Sequence, residues 1–187
     1  MKPDRKTMID NRDIVRMLRA DETRQQGFTE LVNGYTERLY WHIRRMVVDH
    51  EDARDLLQET WIKVFSSADS FRGDGSELTA WLYKIATNLS VSLLRSKYRR
   101  PLSFFGDAGS RLLEKFAETT TESADSIETR FQQALLSLPT KQRTVFNLRY
   151  YDELSYSEIS RITGMSEATL KTNYHYAQKR IKELMTQ

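Results

Sequence analysis

Apolar residues recur every three or four positions along most of the chain, the spacing of amphipathic helices rather than of strands. Phe28, Leu31, Val32, Tyr35, Leu39, Ile43, Met46 and Val47 predict one long helix, with a short N-terminal helix before it. The stretch VDHED interrupts the pattern, and Asp49 is placed to cap a second helix whose inner face carries Ala53, Leu57, Trp61, Val64 and Ala68. SADSFRGDGSE then reads as a loop, in which Gly73 and Gly75 flank Asp74 and Ser76 is the predicted N-cap of a third helix. That helix turns Leu78, Trp81, Leu82, Ile85, Ala86 and Leu89 inward and must stop at Pro101.

Residues 101–126 change character. Gly and Ser breaks and a Thr run weaken the periodicity, and acids outnumber bases, so the segment reads as a flexible acidic linker. Helical spacing returns from residue 127. Ile127, Phe131, Ala134, Leu135 and Leu138 form one stripe, and Pro139 with Thr140 opens a further helix carrying Val145, Phe146 and Leu148. Ser155 and Glu158 have capping-box spacing before a short helix through Ile159 and Ile162. TGMS supplies a turn in which Gly164 can take positive φ, and Ser166 caps a last helix with Leu170, Tyr174, Ala177, Ile181 and Leu184 inside. The fold class is therefore all-α. Two helical domains, 1–100 and 127–187, are joined by the 101–126 linker, and the C-terminal one is a helix-turn-helix.

Composition narrows the function classes only modestly. The chain has 187 residues and a net charge of +3, from 29 Lys and Arg against 26 Asp and Glu, too small an excess to argue nucleic-acid binding by itself. It contains no Cys, which excludes disulfides and thiolate metal sites and suits a reducing compartment. No apolar run approaches the ~20 residues that span a bilayer, and the N-terminus lacks the apolar core of a signal peptide. A cytoplasmic protein is expected, with no cofactor and no metal.

The distribution of charge says more. On the last helix, Lys171, Thr172, His175, Tyr176 and Lys179 fall opposite the apolar stripe, offering cations for phosphates and polar groups for base edges. Asn173 lies nearer the apolar flank. Ser166, Glu167 and Thr169 stand at the helix start, the end that enters a groove in helix-turn-helix proteins. A second basic stripe runs along the third helix through Lys84, Asn88, Val91 and Arg95 into Lys97, Arg99 and Arg100. Beside it, Phe71 and Arg72 could hold unstacked bases.

The second helix carries the opposite charge, with Asp52, Asp55 and Glu59 on one side and Ile62 among them. A carboxylate metal site lacks the Glu-x-x-His partner that helical di-metal centres use. A solvated acidic face and a docking surface for a basic protein both fit, and an apolar residue among charges favours the second. Two other readings of the chain remain at this level. One is a helix-turn-helix regulator acting without polymerase; the other is a metal-dependent nuclease or recombinase using the three acids.

Three motifs together resemble the extracytoplasmic-function (ECF) sigma factors of bacterial RNA polymerase. They are DARDLLQETWIKVF (52–65), AWLYKIATNLSVSLLR (80–95) and LSYSEISRITGMSEATLKTNYHYAQKRIKEL (154–184). The resemblance implies a non-enzymatic subunit. Asp52, Asp55, Leu56, Gln58, Glu59 and Ile62 would dock on the clamp helices of the largest polymerase subunit, and the C-terminal domain on the flap of the second largest. Phe71, Arg72 and the Lys84-to-Arg100 stripe would read the −10 element and capture a flipped base, a step that costs a few kcal/mol of unstacking. The last helix would enter the major groove of the −35 element. The linker would thread toward the active-site channel, and an anti-sigma factor is implied as a further partner. Relatives commonly show Val-Lys-Ser-Arg and then His-Arg after the turn. Here the run is Leu170-Lys171-Thr172-Asn173 and then His175-Tyr176. Two arginines are thus absent, which implies a shallower salt dependence and a more A/T-rich upstream element.

Overall fold

A computed structural model of the chain describes residues 10–97, 108–119 and 126–186. Among these residues all repeating structure is helical: α1 (Asn11–Arg19), α2 (Arg24–Val47), α3 (His50–Ser67), α4 (Gly75–Lys97), α5 (Ala108–Thr119), α6 (Ile127–Leu136), α7 (Thr140–Tyr150), α8 (Tyr156–Thr163) and α9 (Glu167–Thr186), with a single 3-10 turn at Ala68–Ser70.

Local chemistry sets the boundaries. Asp49 accepts the Asp52 N–H and starts α3, and Val48, one residue earlier, is the C-cap of α2. Val48 takes φ 68°, a conformation that β-branched residues avoid, and is held there by burial and by its N–H bonding to the Arg44 carbonyl. At the start of α4, Asp74 rather than Ser76 is the cap: its Oδ1 accepts both the Ser76 N–H (2.8 Å) and the Ser76 hydroxyl (2.6 Å). Those bonds hold the Asp74 carboxyl below its usual range. Ser155 and Glu158 form the reciprocal capping box, and Gly164 ends α8 at φ 74°.

Two expectations change. The segment between the domains contains α5, whose Leu112 is fully buried with Leu113 and Phe116 packed against the same core. Its apolar residues span barely more than one turn, and the surrounding Gly, Ser and Thr hide them from a periodicity search. Ile127, expected in the inner stripe, is 77% exposed because it sits at the first position of α6, outside the packed turns.

The two halves also share a core. One buried cluster runs from Ile14 and Leu31 through Leu82 and Ala86 to Val145, Ile159 and Leu170. A smaller one, around Ala134, Phe146, Ala177 and Ile181, lies wholly in the C-terminal half. α8 packs on α4, and α7 meets α2. Polar groups join at that interface: Asp152 accepts from His42 Nδ1 (2.8 Å) and Arg45 Nη2 (2.7 Å), and His42 Nε2 meets the Thr87 hydroxyl (2.9 Å).

Candidate protein and nucleic-acid interfaces

α3 buries Ala53, Leu56, Thr60, Trp61 and Val64 against α2 and α4. Leu56 is 5% exposed and belongs to this core, so it leaves the set of outward docking residues. The expected phase, centred on Leu57, was off because Thr60 counts as polar. Its hydroxyl instead bonds the Leu56 carbonyl (2.7 Å), which lets it be buried. Asp55, Gln58 and Glu59 point to solvent, and Ile62 is 66% exposed among them. Phe65 continues the apolar part of this edge, and Lys63 meets Glu59 at 3.6 Å.

Asp52 is less open than its neighbours. Lys97 Nζ, at the end of α4, lies 2.6 Å from both its oxygens. Asp49 is paired in the same way with Lys115 of α5 at 3.2 Å. Its carboxyl is held below the usual range first by the Asp52 N–H and then by Lys115.

Behind this surface, the α3–α4 loop brings Phe71 onto Trp81, with ring centroids 4.8 Å apart. Trp81, expected in the core, is thus only partly buried and forms the floor under the loop aromatic. Arg72, Lys84, Asn88 and Arg95 are exposed, Lys97 is exposed but paired with Asp52, and Val91 is partly covered. The adjoining face of α4, with Tyr83, Thr87, Ser90 and Leu94, is buried. Burial and the Asp152 charge push the Tyr83 phenol well above its usual range. Arg99 and Arg100 lie outside the described residues.

α9 presents Glu167, Thr169, Lys171, Thr172, His175, Tyr176 and Lys179 to solvent, while Leu170, Ala177 and Ile181 are buried. Ser166 Oγ accepts the Thr169 N–H (3.2 Å) and so caps the exposed helix start. Asn173 is half-buried, and its amide donates to the Thr169 carbonyl (2.9 Å), which ties it back along the helix. Lys171 lies over the Tyr156 ring at 5.7 Å. No cluster of acids and histidines that could hold a metal occurs among the described residues, and none of their helices is long and apolar enough to cross a membrane.

Sequence reasoning had no signal for the residues that join the halves, His42, Arg45, Thr87 and Asp152, or for Arg19 and Arg24, which reach the α3–α4 loop.

A capped helix-turn-helix in one module, and a basic helix end beside an aromatic loop in the other, define a helical DNA-binding protein. The comparisons place it further. The family model described as Sigma-70 region 2 matches residues 31–100, and that described as Sigma-70, region 4 matches residues 128–181. The chain is 30% identical to the ECF RNA polymerase sigma factor SigW of Bacillus subtilis, over 85% of this chain and 89% of that one. It is also 30% identical to the RNA polymerase sigma-H factor of Pseudomonas aeruginosa, over 94% and 93%. Among solved structures, the sigma factor RpoE in complex with the anti-sigma factor NepR from Bartonella quintana superposes with a TM-score of 0.65 at 25% identity, covering 86% of this chain and 98% of that one. The chain belongs to the ECF sigma factors of the sigma-70 family. It is a non-enzymatic transcription initiation factor.

Proposed function

We propose that three separate surfaces divide the work of initiation. The exposed edge of α3, with Asp55, Gln58, Glu59 and Ile62 and with Asp52 at its margin, docks on the basic clamp helices of the largest polymerase subunit. The α3–α4 loop with Phe71 and Arg72, and the α4 stripe of Lys84, Asn88 and Arg95 running toward Lys97, read the −10 element and hold an unstacked base. The outer face of α9 enters the major groove of the −35 element, and the C-terminal domain meets the flap of the second-largest subunit. The protein works in the cytoplasm. An anti-sigma factor is a further partner, in keeping with the complex named for the Bartonella relative.

One observation carries this reading: Ile62, 66% exposed, sits beside the exposed Asp55, Gln58 and Glu59, and the Lys63–Glu59 contact of 3.6 Å leaves that edge acidic and apolar at its centre. A solvated helix face does not require a large apolar residue at its centre, whereas a protein interface does. A DNA-binding regulator that never touched polymerase would have no use for such a face.

Site-specific photo-crosslinking in the assembled holoenzyme on promoter DNA tests the assignment. A crosslinker at position 62 is expected to capture the largest polymerase subunit, one at 88 the −10 region, and one at 176 the −35 region. Capture of DNA from position 62, or of polymerase alone from 176, would contradict it.

A further inference from the structure

The α3–α4 loop packs Phe71 against the core but leaves space beside that contact. Beneath it lies a cavity of about 180 Å³ walled by Val15, Leu18, Phe28, Leu31 and Val64, with Phe71 and Trp81 at its rim. Two arginines from outside both DNA-reading motifs reach across this gap. Arg24, at the start of α2, pairs with Asp69 at 2.7 Å. Arg19, at the end of α1, donates from Nη2 to the Gly73 carbonyl at 2.8 Å and to the Arg72 carbonyl at 3.4 Å. Among the described residues, every other hydrogen bond made by residues 66–74 goes to a partner within four positions. The two arginines are therefore the loop's hydrogen-bonded and ion-paired ties to the body of the protein among the described residues, with the Arg12 charge acting on Asp74 besides.

α1 is itself well anchored. Asn11 donates to the Thr79 hydroxyl at 3.3 Å and accepts from the Tyr35 hydroxyl at 2.9 Å, which joins α1 to α4 and α2. A Cβ at Gly75 would overlap the Arg12 backbone, so α1 also lies directly against the start of α4. A rigid post stands on one side of the cavity and a reading loop on the other.

We propose that Arg19 and Arg24 are positioning residues for −10 recognition: they fix the height and tilt of the loop carrying Phe71 and Arg72, without touching DNA themselves. This rests on the reading of that loop as the −10 reader. Arg19 grips backbone carbonyls, so it acts on the loop's path whatever its side chains do. Arg24 grips Asp69, two residues before Phe71.

The test uses holoenzyme assembled from core polymerase and the full chain, on promoter fragments selected from random DNA by the wild type. A fluorescent base analogue in the −10 region reports opening. The Arg19→Ala/Arg24→Ala double variant is expected to slow opening about tenfold, the combined effect of two partly exposed ties. Core affinity and the salt slope of DNA binding should not change. Arg19→Lys, which can still donate to a carbonyl, should recover part of the loss. Exchanging charges as Arg24→Asp with Asp69→Arg should recover the Arg24 share. A salt slope that falls by about one for each arginine removed would make them phosphate contacts and overturn the proposal. Unchanged opening in the double variant would overturn it too. Phe71→Ala separates the two ideas. If it impairs opening while the arginine variants do not, the brace alone is wrong; if it leaves opening intact, the reading of the loop fails and the brace with it.

Discussion

His42 Nδ1 lies 2.8 Å from the carboxylate of Asp152, 110 residues along the chain, and both side chains are shut away from water. A carboxylate only accepts, so Nδ1 carries the proton. Arg45 adds a second donor at 2.7 Å and stacks over Tyr151 at 4.6 Å. Glu153, at φ 55°, turns the chain directly after Asp152. One carboxylate from the C-terminal half thus answers two nitrogen donors of α2.

Removing one partner of a buried ion pair costs about 3–5 kcal/mol if the other stays buried. Here the stranded groups have an exit, because separating the two halves returns His42 and Arg45 to water. Asp152→Ala is therefore expected to open the molecule rather than unfold it. Small-angle scattering should show a larger radius of gyration at unchanged helical content. An unchanged radius would mean that apolar contacts alone hold the halves together.

Gly164 takes φ 74°, and, its own chain neighbours apart, no atom of the described residues lies within 4 Å of where a Cβ would stand. The cost of Gly164→Ala is thus backbone strain alone, about 1–2 kcal/mol. Thermal unfolding should register that loss. A neutral substitution would show that the turn relaxes to another conformation.

Asp49 caps α3 with its carboxyl held below the usual range by the Asp52 N–H and by Lys115. A carboxylate depressed on folding stabilises the fold above its ordinary pKa. That contribution is lost as pH falls through the lower folded value. Asn also caps helices, so Asp49→Asn should keep the cap at neutral pH and flatten the acid limb of a urea-midpoint profile. Equal acid sensitivity in the two proteins would contradict the assignment.

On α9, Lys171 and His175 are exposed, and Asn173 and Tyr176 stand at the two positions where the sequence resemblance implies arginine. Lys171→Ala is expected to weaken −35 binding across all sequences and to lower the salt slope by about one. DNA selection should return an A/T-rich upstream element, since no arginine faces the groove from positions 172–176. A G-rich motif would contradict this.

What could be read from the sequence was local. The Asp49 cap, the Ser155/Glu158 box, the Gly164 turn and the outward polar face of α9 all follow from residues within four positions of one another. Polar groups buried at a distance could not be read. Thr60 hides its hydroxyl on its own helix, and so shifts the inner face of α3 onto Leu56. His42, Thr87 and Asp152 look like surface residues until two helices and a turn bring them together. The arginines that reach the loop have no spacing rule, because α1 meets the loop only through the fold.

Equilibrium binding of fluorescently labelled protein to core RNA polymerase decides whether the exposed acidic edge of α3 is the docking surface. Asp55 is exposed and holds no partner among the described residues, so Asp55→Arg should leave the unfolding midpoint in place. It puts a cation against a basic surface, and binding should weaken by at least a hundredfold, on the order of the several kcal/mol that like-charge juxtaposition costs at an interface. Wild-type affinity in the folded Asp55→Arg protein, repeated for Ile62→Asp, would mean that polymerase docks elsewhere on the protein.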